Sequence, residues 1–191
     1  MASTLSESWN RIERWFALHV PAALPSGASS DDIAKAEEII GARFPKDMRE
    51  SYGRHDGSNR LWLCERGYLM PLFRPRKLPR RKQVLFNEVV ESWQFMAGML
   101  DRGMFAEFTS RPQGEIRAEW WNLHWIPITS NDSGDHICVD VAPAKGGKKD
   151  QIIDWWHERG PTKVGTLVNG LARLPRSMKQ ESSHSTRSRR M

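Results

Sequence analysis

Cysteine is scarce: the 191 residues hold two, Cys64 and Cys138, far apart and without a CxxC pair. Such spacing gives no disulfide framework and no zinc site, so both are expected as reduced, buried thiols. No apolar run is long enough to cross a bilayer, and the N-terminus lacks a basic segment followed by an apolar one. A cytoplasmic protein with no membrane association is expected. Catalytic signatures are missing as well. There is no GxSxG and no papain-like cysteine context, and Gly146-Gly147-Lys148-Lys149 lacks both the first half of a P-loop and the Ser or Thr after its lysines. These gaps exclude the commonest hydrolase and nucleotide-binding classes and leave binding as the first expectation.

Tryptophan is plentiful. Five of the nine lie between Trp120 and Trp156, in WWNLHWIPITSNDSGDHICVDVAPAKGGKKDQIIDWWH. Two β-type runs, Trp125 to Thr129 and His136 to Val141, flank the turn-forming residues 130–135, and a third, Gln151 to Trp156, follows Gly146-Gly147. This pattern predicts an antiparallel meander. Ile137, Val139 and Val141 alternate with Cys138, Asp140 and Ala142, so one face should pack while Asp140 faces the other way, free to bind.

Upstream, apolar residues at helical spacing predict a helix from Leu5 to Val20, stopped by Pro21. A second helix begins near Asp31, capped by Ser29 or Ser30, and ends at Gly41; a third opens around Pro45 and runs to about Gly53 or His55. Leu61 to Leu63 and Tyr68 to Leu72 read as short strands, and residues 84–100 as a fourth helix. Residues 101–119 show no periodicity and read as loop, and Thr166 to Leu174 as a short closing helix. The fold class is α+β, one domain over residues 1–174 with a basic insert at 74–83, followed by a disordered basic tail at 175–191.

The formal net charge is +6, yet residues 74–82 contribute +6 and the stretch from Arg173 onward +5, which leaves the remainder at −5. An acidic body with basic appendages is unlike the continuous basic face of a nucleic-acid-binding domain.

Three constellations invite chemical readings. Asp132, Asp135, His136 and Asp140 cluster like metal ligands but fit no recognised loop, and the two acids near the turn suit its backbone instead. His55, Asp56 and Ser58, or Cys138 with His124 or His157, hold nucleophile and base types without the geometry that catalysis needs. Trp120, Trp121, Trp155 and Trp156 form adjacent pairs, and on strands one of each pair leaves the core face, where it either binds a partner or is covered by another element.

The order and spacing of several short motifs resemble the SUKH superfamily, which includes yeast cell-wall-assembly regulators of the Smi and Knr type and many bacterial toxin-immunity proteins. They are Gly27-Ala28, Ala36-Glu37, Phe44-Pro45 with Asp47, His55-Asp56-Gly57, Trp125-Ile126-Pro127-Ile128, Gly134-Asp135, Asp140, Pro143 and Gly146-Gly147. The resemblance implies helices packed on a mixed or antiparallel sheet, and protein binding without catalysis. The leading expectation is an immunity protein that occludes a cognate, nuclease-type toxin; the alternative is a regulatory scaffold or adaptor, and a nucleic-acid-binding module ranks behind both. The partner-binding candidates are Asp56, Trp120, Trp121, Asp132, Asp135, Asp140, Trp155 and Trp156. No catalytic residue, metal or cofactor is expected, and the oligomeric state stays open.

Overall fold

The computed structural model describes residues 4–20, 24–58, 68–70, 72, 88–112, 114–131 and 133–166. The basic insert, the 61–63 strand, Asp132 and the tail lie outside the described residues.

Helix α1 spans Leu5–His19. Its start is a capping box: Thr4 Oγ1 accepts from Glu7 N at 3.2 Å while Glu7 Oε2 accepts from Thr4 N at 2.9 Å, which satisfies donors a helix end leaves open. Helix α2, Ser30–Ile40, is capped by Ser29 and closed by Gly41 at φ 72°, a left-handed position that suits glycine. Helix α3, Lys46–Arg54, begins after Pro45. Gly27 is dictated by contact: a Cβ there would lie 1.9 Å from the Gly53 carbonyl oxygen, because the chain before α2 runs directly against the end of α3. Ala28 N donates to Tyr52 O at 2.8 Å across the same contact.

After β1 (Tyr68–Leu69) and helix α4 (Val89–Asp101) come β2 (Trp125–Pro127), β3 (Thr129–Ser130), β4 (His136–Asp140), β5 (Gln151–Trp156) and β6 (Gly160–Thr166). Four strands form an antiparallel sheet in the order β2-β4-β5-β6, while β1 and β3 make a separate two-stranded ladder. The expected meander is present, and the architecture is α+β. The run expected to continue to Thr129 divides at Ile128, whose N–H reaches Ile137 O at 2.8 Å and whose carbonyl accepts from Met70 N at 3.0 Å. Thr166 belongs to β6 rather than to a helix, since β6 completes the pairing of β5; residues 167–174 lie outside the described residues.

Register sorts the sheet side chains onto two faces. Ile126, Val139 and Ile152 stand side by side and join Leu5, Trp9, Ile12, Ile33, Ala36, Ile40, Met48 and Tyr52 of the helices in the main core. Trp125, Cys138, Ile153 and Trp155 project the other way and meet Met96, Ile116, Trp120 and Trp121 in a second cluster. That second face is therefore not open for binding. It is roofed by the end of α4 and the irregular chain leading to β2, which gives three layers: helices, sheet and an irregular cover.

Candidate functional site

The tryptophans are mostly interior. Trp120, Trp121 and Trp155 keep 8%, 1% and 3% of their surface. The rule that neighbours diverge holds for Trp155 and half-exposed Trp156, which sit on β5. It does not hold for Trp120 and Trp121, because they lie in irregular chain, where nothing forces alternation. Trp121 stands edge-on to both Trp125 and Trp155 at centroid separations of 5.9 and 5.2 Å, and Trp155 Nε1 donates to Trp120 O at 2.6 Å. Such edge-to-face pairs add to the apolar burial that holds the cluster.

The carboxylates are committed to structure. Asp140 is fully buried, its Oδ2 accepting from Gln151 Nε2 at 3.0 Å and its Oδ1 from Ala142 N at 3.2 Å. Burial pushes its pKa above the ordinary aspartate value, and those two bonds pull it partly back. Asp135, also buried, accepts from Asn131 Nδ2 at 2.8 Å, His157 N at 3.1 Å and His157 Nδ1 at 2.8 Å. Burial alone would raise its pKa; the bonds from Asn131 and His157 outweigh that and hold it below the usual value. Asp56 Oδ1 accepts from Leu72 N at 2.8 Å, and desolvation raises its pKa. Asp132 lies outside the described residues.

The candidates do not assemble into one surface. Asp135, Trp155 and Trp156 share one end of the sheet, where His136 pairs with Trp155 and the β5–β6 turn carries Arg159 over the Trp156 ring at 5.3 Å. Trp120 lies beneath that end, its ring 3.5 Å from where a Gly160 Cβ would stand. Asp140 sits at the opposite end of β4, and Asp56 follows α3.

The catalytic constellations come apart in the same way. Cys138 is fully buried, and burial followed by Asp154 and Asp140 pushes its thiol well above the usual value, which removes the thiolate a nucleophile requires. His124 Nδ1 is engaged by Asn122 Oδ1 at 2.9 Å, His157 by Asp135, and His55 by Glu13 and the Pro25 carbonyl. Ser58 Oγ accepts from Leu69 N at 3.1 Å in the interior. Among the described residues no three His, Cys, Asp or Glu side chains are placed to hold a metal ion, and no helix is long and apolar enough to cross a membrane.

The sequence reading missed what does reach solvent. Met104, Phe108 and Leu123 stay 52%, 51% and 42% exposed on the outside of the cover, with the Phe108 ring 4.7 Å from the Trp120 ring and Trp93 Nε1 donating to Leu123 O at 3.0 Å. Met104 and Phe108 fall in residues 101–119, which show no periodicity, and Leu123 falls in the turn before β2, so no pattern could single them out. Exposed apolar side chains that continue into a buried aromatic cluster are a common form of protein-contact surface.

Fold and site together describe a helix-on-sheet domain whose buried Asp135 and Asp140 are held by its own side chains and backbone, with a few large apolar side chains left exposed on its cover. The chain belongs to the SMI1 / KNR4 family (SUKH-1), whose model matches residues 27–168. Among curated proteins it is similar to the "Cell wall biosynthesis/cell cycle regulator smi1" of Schizosaccharomyces pombe, at 29% identity over 156 residues, 78% of this chain and 31% of that protein. It is also similar to the "Cell wall assembly regulator SMI1" of Saccharomyces cerevisiae, at 26% over 180 residues, 79% of this chain and 35% of that one. A "Glucan synthesis regulatory protein" of Neurospora crassa matches at 24% over 187 residues, covering 78% and 33%. The chain thus spans about a third of the length of these relatives.

Proposed function

We propose that this domain is a non-catalytic protein-binding module that works as a regulatory adaptor of the cell-wall-assembly-regulator type. The observation that carries this reading is the match of nearly four-fifths of the chain to fungal proteins named as cell wall and glucan-synthesis regulators. It favours the adaptor over the toxin-neutralising protein that led the sequence reading. The site chemistry agrees with binding: Asp135 and Asp140 are spent on internal hydrogen bonds, while Phe108, Met104 and Leu123 offer apolar contact area backed by tryptophan.

The test is a chimera in which the matched segment of the budding-yeast regulator is replaced by residues 1–191. Growth under cell-wall stress should be restored, and the triple variant Met104→Ser, Phe108→Ser, Leu123→Ser should lose that rescue while its far-UV spectrum is unchanged. Failure of the folded, expressed chimera would overturn the adaptor reading, and protection against a toxin encoded beside this gene would move the assignment to the immunity class.

A further inference from the structure

The loop between β4 and β5 gathers positive charge on an otherwise acidic body. From Val141 to Asp150 it carries Lys145, Lys148 and Lys149 against the single acid Asp150, and all three lysines are exposed. Arg117 of the cover, also exposed, joins them by donating from Nε to Ala142 O at 2.8 Å. Elsewhere Arg43 and Arg49 close on Glu37 and Arg54 closes on Glu13, whereas Lys145 and Lys148 have no ion-pair partner among the described residues. We propose that this loop and Arg117 form a docking surface for an acidic segment of a protein partner, whose carboxylates would meet the lysines. The proposal rests on the reading of the domain as a protein-binding module and supplies the charge of what is bound.

A fixed frame displays these lysines. Gly147 N donates to Ala144 O at 2.9 Å, Gln151 N to Lys148 O at 3.1 Å and Asp150 N to Asp140 O at 2.9 Å, so two turns fold the loop back on the end of β4. Ala144 N reaches Glu115 O at 3.2 Å, and a Cβ on Gly147 would stand 2.7 Å from that same oxygen, because the loop lies directly on the cover. A loop held in this way has little freedom left to lose when a partner arrives, which favours capture of a short segment. The acids nearby do not pair with Lys145 or Lys148. Asp140 is buried and spent on Gln151 and Ala142. Burial raises the Asp150 pKa and Lys149 pulls it partly back, so Lys149 is the one lysine that already meets a carboxylate. Val141 N donates to His124 O at 3.0 Å, which sets exposed Leu123 beside the root of the loop and gives an acidic segment an apolar neighbour. Nucleic acid fits less well. Trp121 and Trp125 of the adjoining cover and strand are buried and offer bases no stacking surface, and the chain outside its two basic segments is net acidic.

The probe is a short fluorescein-labelled peptide of glutamate with interspersed leucine, titrated by fluorescence anisotropy against the full chain at low and at physiological salt. Three proteins are compared: the native chain, the loop variant Lys145→Glu, Lys148→Glu, and the tail variant Arg187→Glu, Arg189→Glu, Arg190→Glu, included because the tail is basic as well. The loop variant should bind about tenfold more weakly, since two exposed charge pairs are exchanged for two repulsions, each worth about a few-fold, and added salt should shrink the difference. The tail variant should lose less than the loop variant. Equal binding by the native chain and the loop variant, or a loss confined to the tail variant, overturns the proposal, as does a single-stranded oligonucleotide that displaces the peptide from the loop. Should the loop variant not fold, the amide shifts of the native protein decide: movement of Lys145, Lys148 and Lys149 on adding the peptide supports the surface, and movement only elsewhere refutes it. Binding is read in solution, so a chimera that fails to rescue removes the adaptor reading, while a peptide indifferent to the loop removes this surface.

Discussion

Replacing Glu37 by Gln tests the joint between α2 and α3. The Glu37 side chain is 4% exposed and accepts four hydrogen bonds: Oε1 from Phe44 N and Arg49 Nε, both at 2.7 Å, and Oε2 from Arg49 Nη2 at 2.8 Å and Arg43 Nη1 at 3.0 Å. The Arg49 fork dominates and burial opposes it; the Phe44 amide and Arg43 tip the balance, so the carboxyl is held down to about 2 against an ordinary 4.5. That difference corresponds to roughly 3 kcal/mol of stability at pH 7. Arg43 and Arg49 are 83% and 45% exposed, and the solvent around them trims the figure to about 2–3 kcal/mol.

A group whose pKa is lowered by folding stabilises above its unfolded value and loses that contribution as pH falls toward its folded one. The Glu37 contribution should accordingly be complete above about pH 5 and reduced to about three-fifths at about pH 3.5. Urea unfolding of the native protein and of Glu37→Gln at both pH values gives the measurement. The variant should be less stable by about 2 kcal/mol or more near neutrality, with the gap narrowing in acid. A gap below about 0.5 kcal/mol at pH 7, as for an exposed ion pair, or one that does not narrow, would refute the reasoning.

Gly27→Ala should be among the most damaging single changes, since its Cβ would meet backbone at 1.9 Å; a loss of about 3 kcal/mol, roughly 10 °C in Tm, is expected by differential scanning calorimetry. Asp150 has φ 66° and a buried Oδ1 without a hydrogen-bond partner among the described residues, and its pKa is raised by burial and by Asp47. Asp150→Asn keeps a residue tolerant of that backbone and removes the charge that burial and Asp47 disfavour, so it should stabilise slightly at pH 7. Because a raised pKa penalises the charged form, this gain should disappear in thermal melts once the pH is low enough to protonate the native carboxyl. Trp9→Phe leaves Ser51 Oγ without its indole donor in the interior and should cost about 1–3 kcal/mol in chemical unfolding.

The helices were legible because their limits are written in single residues. Ser29 and Gly41 bracket α2, and Pro45 stands immediately before α3, each by a local steric or hydrogen-bonding reason that holds whatever the rest of the chain does. The meander was legible in the same way, through the turn-forming chain between β3 and β4 and Gly146-Gly147 before β5. What escaped depends on a partner elsewhere in the chain. β6, reading GPTKVGT, has no apolar alternation and forms because β5 offers an edge in register with it.

The candidate site failed to assemble for a related reason. A period of two along β4 reports that its faces differ, and Asp140 made the one it shares with His136 and Cys138 look free to bind. Each of those groups is instead neutralised from within: His136 Nδ1 donates to Thr129 O at 2.7 Å, Asp140 is paired with Gln151, and the Cys138 thiol stays protonated under the tryptophan cluster. Whether such a face is wet depends on whether something lies over it, and the cover here is irregular chain without periodicity, held by Arg117 Nε donating to Ala142 O at 2.8 Å and Ser110 Oγ to Glu119 O at 2.9 Å. On the proposed reading, burial of this face places the contact surface one layer out from Asp140, on Met104, Phe108 and Leu123 of the cover. If that transfer is right, Phe108→Ser should weaken partner binding in the chimera, whereas Asp140→Asn should leave binding intact and register only in folding stability. The opposite pattern would return the site to the sheet.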